Sequence, residues 1–296
     1  MRIAVTGRTG QVVTSLIERG PAAGHEVITI GRPELDLADP ASVVRALEAA
    51  RPDAIVSAAA YTAVDRAESE SDFAHAVNGR GAGMVAEAAR ALGVPLVHLS
   101  TDYVFDGRLD RPYLETDPTG PTGAYGASKL AGEQAVRAAH GDNSAILRVA
   151  WVYSPFGANF VKTMLRLAAD RDEVPVVADQ IGNPTNALDI ADGILRVAEH
   201  LLADPDPALR GLFHMTADGE ASWADFAEAI FAASAMHGGP QASVRRITTA
   251  DYPTPAKRPA NSRLDGSQIV AAHGVALPHW RGSLEDVVAR LQAGTN

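Results

Sequence analysis

Tyr125 and Lys129 stand four residues apart in the segment Tyr125-Gly126-Ala127-Ser128-Lys129. If this segment opens a helix, as the stretch 129–137 indicates, both side chains leave one face a turn apart. A phenol with an ordinary pKa of ~10 exchanges protons poorly at neutral pH. A neighbouring ammonium favours the phenolate and lowers that value, which makes tyrosine a usable general acid. The competing reading is a surface Tyr and Lys with no role. Upstream, Ser100-Thr101-Asp102 follows the apolar run Leu96-Val97-His98-Leu99. Thr101 brings a hydroxyl that can donate to a carbonyl oxygen as negative charge develops there.

A second group of residues suits phosphate. Ile3-Ala4-Val5 runs into Thr6-Gly7-Arg8-Thr9-Gly10-Gln11-Val12-Val13, with a helix expected to end near Gly20. A glycine turn between strand and helix exposes backbone N–H groups at a positive helix end, which suits a dinucleotide pyrophosphate. Gly7 and Gly10 have G-x-x-G spacing, but Val13 stands where a third glycine would be, implying a displaced helix or weaker binding. An ordinary strand–helix turn is the alternative. Ile30-Gly31-Arg32 then ends the second strand, where the adenosine ribose is read. An arginine there can pair with the 2′-phosphate of NADP, where an acidic residue would favour NAD. A solvated loop arginine is the equal rival for Arg32.

These residues need a sheet to position them. Ile3-Ala4-Val5, Val27-Ile28-Thr29-Ile30, Ala54-Ile55-Val56, Leu96-Val97-His98-Leu99 and Ala145-Ile146-Leu147 read as buried strands. Helical stretches such as 42–50 and 81–92 lie between them. This alternation predicts an α/β protein with a Rossmann-like doubly wound parallel sheet. In such a sheet ligands sit beyond the carboxyl ends of the strands, so Thr101 would face the same crevice as the phosphate loop. Two further amphipathic stretches, 159–169 and 222–233, suggest a smaller mixed α/β substrate-binding lobe. The expected division is 1–148, with roughly 184–215 returning to it, as the NADP(H)-binding domain. The substrate-binding lobe then takes 149–183 and roughly 216–296. The Pro/Gly-rich segment 238–259 reads as a loop crossing between lobes.

Composition limits the function classes. The 296 residues carry 26 Lys+Arg against 36 Asp+Glu, a net charge of −10, so no basic excess serves nucleic acid. No run of ~18 apolar residues spans a membrane, and the short apolar stretch after Arg2 does not read as a signal peptide. With no cysteine there is no disulfide, zinc-thiolate site or thiol nucleophile. A cytoplasmic location is the expectation. The nine His show no metal-ligand spacing, and no metal is expected. His98 reads as a core residue. Asp65, Glu68, Glu70 and Asp72 read as a solvated helix face, and Trp223 and Phe226, at i, i+3, as core.

In their order, Thr101, Tyr125 and Lys129 form the short-chain dehydrogenase/reductase arrangement. Ser100-Thr101-Asp102-Tyr103-Val104-Phe105 and Arg258-Pro259-Ala260-Asn261-Ser262-Arg263-Leu264-Asp265 are longer motifs still. On these, and on shorter stretches from Ile3 to Asp265, the chain resembles the dTDP-4-dehydrorhamnose reductase family, a branch of the extended short-chain dehydrogenases. The resemblance implies a catalytic set of Thr101, Tyr125 and Lys129, with Lys129 also holding the nicotinamide ribose. It implies phosphate-loop contacts at Gly10, Gln11 and Val12, an adenine-side contact at Asp36 and Leu37, and a nicotinamide-side wall at Ala60, Tyr61 and Thr62. Thr101, Asp102 and Trp151 match sugar-nucleotide contacts, and an indole face suits a deoxysugar. Arg258 and Arg263 can meet a diphosphate bidentately, with surface solvation the equal rival.

The implied reaction reduces the C4 ketone of dTDP-4-dehydro-6-deoxy-L-mannose to dTDP-L-rhamnose, with NADPH, or alternatively NADH, as reductant. Related reductases of a different nucleotide 4-ketosugar share these motifs. A 4,6-dehydratase needs an Asp-Glu pair after the threonine, and Tyr103 follows Asp102 here. A non-catalytic NADP-binding regulatory subunit is the reading from another class, kept open by Val13. Some family members form a magnesium-linked dimer through an acidic residue early in the first helix. This chain has Ser15 there, so no metal is carried over, and monomer and homodimer both stand.

Overall fold

The computed structural model describes residues 1–294. Its first half alternates strand and helix as the apolar runs predict: β1 (Arg2–Thr6), α1 (Gln11–Ala22), β2 (Glu26–Ile30), α2 (Pro40–Ala50), β3 (Ala54–Ser57), the short α3 (Val64–Ala67) and α4 (Ser71–Ala74), α5 (Ala82–Leu92), β4 (Leu96–Thr101), α6 (Ala124–His140) and β5 (Ser144–Val149). Shorter strands follow, with longer helices between them. They are β6 (Val152–Tyr153), α7 (Phe160–Ala168), β7 (Glu173–Val177), β8 (Ile181–Gly182), β9 (Thr185–Asn186), α8 (Ala187–Ala203), β10 (Gly211–His214), β11 (Ala221–Ser222), α9 (Trp223–Met236), β12 (Ser243–Ile247), α10 (Ser267–His273) and α11 (Trp280–Ala293).

Six strands pair in parallel in the order β2-β1-β3-β4-β5-β10. Every residue of β3, β4 and β5 is buried. Helices on both faces leave no solvated side, so these strands read as continuous apolar runs rather than alternating ones. Ile3, Val5 and Val97 meet Leu16 of α1 and Ile194 of α8 on one face. The alternate residues Ala4, Ile55 and Ile146 meet Leu47 of α2, Val85 of α5 and Val136 of α6 on the other. The strand order reverses direction between β1 and β3, which opens a crevice at their carboxyl ends.

A second core joins Tyr153, Val161, Phe226, Ile230, Trp280 and Val287 from β6, α7, α9 and α11. Ile269 of α10 and Val275, which lie within 216–296, pack instead into the sheet's own core. The segment 238–259 is not only a loop. It contains β12, which pairs in parallel with β7 from Ser243↔Glu173 to Ile247↔Val177. The strand is short and partly exposed, and it carries Arg245 and Arg246 on Glu173 and on Asp225 and Glu228. Flanking prolines and glycines hid a five-residue strand in the sequence. No described helix is long and apolar enough to cross a membrane.

Candidate active site

β1 ends at Thr6, and Gly7 follows with φ 105°, a conformation that glycine adopts without steric cost. Gly10 is the N-cap of α1, and no side chain caps the helix. The first N–H groups of a helix lack intrahelical partners, so those of Gln11, Val12 and Val13 form an uncapped, partly positive end. The Thr6 hydroxyl accepts the amides of Ala58 and Ala59, each at 3.0 Å, and so fixes the segment leading to Ala60. Between these elements lies a cleft of about 550 Å³. Gly7, Gly10, Arg32, Asp36, Leu37, Ala60, Tyr61 and Thr62 line it, together with Arg8 and Phe73.

Val13 is 2% exposed and belongs to the sheet core. Its Cγ2 lies 3.2 Å from where a Cβ on Gly7 would stand, so the valine fits because Gly7 has no side chain. Arg32 is exposed and makes no ion pair among the described residues. Arg8 is held by Glu34. The Gln11 side chain turns away from the cleft, toward the loop after β6.

The three residues expected to be catalytic come together at the carboxyl end of β4. Thr101 Oγ1 donates to Asp102 Oδ1 at 2.8 Å and accepts the Tyr103 amide at 3.2 Å. Tyr125 and Lys129 project from the first turns of α6. Desolvation pushes the Tyr125 phenol well above its ordinary value, and Asp102 adds to this, while a hydrogen bond with Thr101 pulls it down. The expectation that Lys129 lowers the phenol's pKa is therefore not met: burial dominates. Lys129 Nζ donates to the Leu99 carbonyl at 2.6 Å. Its own pKa falls to about 8 through desolvation, against the raising effect of Glu133. Burial likewise raises Asp102 to about 6, opposed by the hydroxyls of Thr101 and Ser262.

The sequence reading missed the residues that seat α6. Asn78 lies on a wide π-helical turn, His75–Gly81. Its side chain accepts the Tyr61 amide at 2.7 Å and donates to the Tyr61 carbonyl at 3.0 Å and to Ser128 Oγ at 2.9 Å. Ser128 Oγ in turn donates to the Tyr125 carbonyl at 2.7 Å. One chain of bonds thus runs from the cleft wall to α6. Gly126 and Gly132 allow close approach: a Cβ on them would stand 2.1 Å from the Tyr103 oxygen and 2.2 Å from the Asn78 oxygen. The signal in the sequence was the run Val77-Asn78-Gly79-Arg80-Gly81, which no strand or helix period explains.

The acidic run is partly exposed, as a solvated face would be, but three of its carboxylates are engaged. Glu68 accepts the Ala124 amide at 2.8 Å and so supplies the cap that Gly123 cannot give α6. Glu70 accepts from the Tyr61 hydroxyl at 2.5 Å and from Arg66 at 2.6 Å. Asp65 takes Arg258 bidentately at 3.0 and 2.9 Å, so the guanidinium expected at a diphosphate is already engaged. Arg263 is tied to Asn261, Glu220 and the Asp110 carbonyl.

Trp151 follows β5 with φ 46°. Its ring stacks on Trp223, with centroids 3.6 Å apart and planes 7° apart. Trp223, read as core, is thus the partner of Trp151, whereas Phe226 is fully buried as expected. His98 is buried as expected too, with Nδ1 3.0 Å from Ser57 Oγ.

The family model described as the RmlD substrate binding domain matches residues 1–293. A dTDP-4-dehydrorhamnose reductase of Sinorhizobium fredii is 50% identical over 288 residues, which is 97% of each chain. The crystal structure of a dTDP-4-dehydrorhamnose reductase from Clostridium acetobutylicum superposes with a TM-score of 0.91 at 36% identity, covering 99% of this chain and 100% of that one. A dTDP-4-dehydrorhamnose reductase from Bacillus anthracis, in complex with NADP, gives 0.90 at 35%, covering 98% and 99%.

Proposed function

The chain belongs to the dTDP-4-dehydrorhamnose reductase family of NAD(P)H-dependent oxidoreductases, and from that premise we propose that it reduces the C4 ketone of dTDP-4-dehydro-6-deoxy-L-mannose to dTDP-L-rhamnose, with Tyr125 as proton donor. The observation that carries this reading is the junction of Thr101, Tyr125 and Lys129 at the end of β4, one hydrogen-bonded chain from the wall of the dinucleotide cleft. The uncapped N-terminus of α1, the open turn at Gly7 and the 550 Å³ cleft fit NADPH. Gly7, Gly10 and the amides of Gln11 and Val12 would hold its diphosphate, and Arg32 its 2′-phosphate. Asp36 and Leu37 would take the adenine side, and Ala60, Tyr61 and Thr62 the nicotinamide side.

When bound, NADPH supplies the hydride that reaches C4. The Tyr125 phenol, kept neutral by burial, gives its proton to the ketone oxygen as charge builds there. Thr101, whose hydroxyl proton rests on Asp102, would turn it toward the same oxygen once the ketone is seated, and so polarise it. Lys129, fixed by its bond to the Leu99 carbonyl, would hold the nicotinamide ribose. Trp151 and Asp102 would line the sugar. Domain 1–148 with roughly 184–215 would carry the cofactor, joined by α10 from the later segment, and 149–183 with the rest of roughly 216–296 the sugar nucleotide.

The test generates the 4-keto-6-deoxy-L-sugar nucleotide in place with a dehydratase and an epimerase, and follows loss of reduced-nicotinamide absorbance. Tyr125→Phe should lower kcat by about 10²–10⁴-fold and leave NADPH affinity within about twofold. Undiminished turnover in that variant would remove Tyr125 as the donor. NADPH binding without ketone reduction by the intact protein would remove the substrate assignment.

A further inference from the structure

Gln11 is the first residue of α1, and its backbone belongs to the uncapped helix end. Its side chain serves the other lobe. Oε1 accepts from Ser154 Oγ at 2.8 Å and from Asn159 Nδ2 at 3.0 Å, and Nε2 donates to the Val152 carbonyl at 3.3 Å. Both acceptor positions of the amide oxygen are therefore taken, leaving none for a ligand.

The groups that meet Gln11 are themselves fixed. Asn159 Nδ2 also donates to the Ser154 carbonyl at 2.8 Å and the Phe156 carbonyl at 3.2 Å. Asn159 Oδ1 accepts the Lys162 amide at 3.2 Å and so caps α7. Ser154, fully buried, accepts the Phe156 amide at 3.1 Å. The segment 151–159 thus begins at Trp151, passes under the Gln11 amide and ends at the start of α7. A second tie between α1 and the other lobe is the pair Glu18–Arg290, with Arg290 also lying 4.9 Å from the Phe156 ring centre. That pair is exposed, and exposed pairs contribute little.

We propose that Gln11 is a positioning residue that couples the two binding events: its backbone answers to the cofactor diphosphate, and its side chain transmits that order to segment 151–159. The proposal rests on the reading of the cleft as a dinucleotide site. Linkage then requires reciprocity: a cofactor that tightens the sugar-nucleotide side is itself tightened by the same factor, commonly 5–150-fold.

The experiment is hydrogen exchange on the full chain with and without saturating NADP⁺, in the native protein, in Gln11→Met and in Ser154→Ala. Methionine keeps the length of the side chain and removes its hydrogen bonds. In the native protein NADP⁺ should slow exchange of the Phe156 and Gly157 amides by about tenfold. In Gln11→Met saturating cofactor should still protect 7–13, while the added protection at 156–157 disappears. Ser154→Ala should lose part of it. In turnover, Gln11→Met should raise KM for the sugar nucleotide about tenfold. A structural role alone would loosen the segment equally with and without cofactor. Protection at 156–157 that survives in Gln11→Met, or that is absent in the native protein, overturns the proposal. Failure of the substrate assignment shows separately, as intact exchange behaviour with no ketone reduced.

Discussion

Glu133 and Arg148 form a bidentate ion pair, each side chain about 3% exposed, directly behind the catalytic helix face. Arg148 Nε and Nη2 donate to Oε1 and Oε2 at 2.8 and 2.7 Å, and Ser100 Oγ donates to Oε1 at 2.5 Å. Glu133 lies one turn beyond Lys129 on α6, and Ser100 precedes Thr101 on β4. The Ser100 bond therefore ties the helix that carries Tyr125 and Lys129 to the strand that carries Thr101, and the ion pair ties the same helix to β5. Arg148 also lies 4.8 Å over the Phe105 ring, and together with burial it drives His214 down to about 3.

A buried pair is weak evidence of net stability, because desolvating two charges offsets their attraction, but removing one partner leaves the other stranded. Glu133→Ala should therefore cost about 3–5 kcal/mol of unfolding free energy, read as a lower urea midpoint with an unchanged slope. The double variant Glu133→Leu, Arg148→Met should recover most of that loss. Its turnover should stay low, since the tie between helix and strand is gone. A single-variant loss below about 1 kcal/mol would mean that the pair does not anchor α6.

The pH dependence follows from two buried groups. Lys129 titrates near 8 and Asp102 near 6, so kcat/KM should fall on both sides of a window between those values. Asp102→Asn should remove the acid limb and leave the alkaline one. Stability moves in the opposite sense at the alkaline end. Between pH 8 and 10.5 the unfolded chain holds the Lys129 proton that the folded chain has released, so this residue makes stability rise with pH there. Between about pH 4 and 6 the folded chain keeps the Asp102 proton that the unfolded chain has lost, so that residue makes stability fall as pH rises. Paired melting curves of the native protein and Asp102→Asn across these ranges check both signs. A native profile flat from pH 5 to 9 would contradict them.

Local pattern reached the five strands from β1 to β5 and the catalytic motif, because buried parallel strands write continuous apolar runs and Tyr125/Lys129 sit on one helix turn. It did not reach β12, whose five residues lie among prolines and whose partner β7 is 70 positions earlier. Nor did it reach Asn78, Glu68 or Glu133, since a polar residue with a structural partner looks like a solvated one until that partner is placed. The acidic run was half legible for that reason: the Asp65 side chain is partly exposed as expected, yet it also meets Arg258 across 193 positions. The same distance problem applies to Trp223, whose helical spacing fits a core residue and whose stacking partner lies outside its helix.

Cofactor choice should follow the cations at the far end of the cleft. Arg32 is unpaired among the described residues, while Arg8, on the same cleft, is engaged by Glu34. Arg32→Ala should raise the Kd for NADPH about tenfold, equivalent to ~1.4 kcal/mol, and leave NADH nearly unchanged. Glu34→Gln should release Arg8 and move the preference further toward NADPH. Fluorescence titration of each variant with both nucleotides decides it. Equal losses for NADPH and NADH would place Arg32 away from the 2′-phosphate.

Trp151 holds φ 46°, a left-handed conformation that costs a bulky side chain energy and persists only when its surroundings fix it. Two contacts do so. Trp223 covers one face of the ring, and Gly182 packs so closely that a methyl group there would stand 2.5 Å from Cε2. Gly182→Ala should therefore displace the indole, whereas Trp223→Ala removes its support and leaves the ring free to turn. Both variants should raise KM for the sugar nucleotide by about tenfold or more and spare NADPH affinity, because neither residue borders the 550 Å³ cleft proposed for the cofactor. The stacked indoles also give a direct readout. Two rings 3.6 Å apart couple their transitions, so the native protein should show a paired positive and negative band in far-ultraviolet circular dichroism. Trp223→Phe should abolish that couplet and, by keeping a flat ring against Trp151, retain more activity than Trp223→Ala. A native spectrum without the couplet, or equal activity in the two variants, would mean that Trp223 does not hold Trp151 in place.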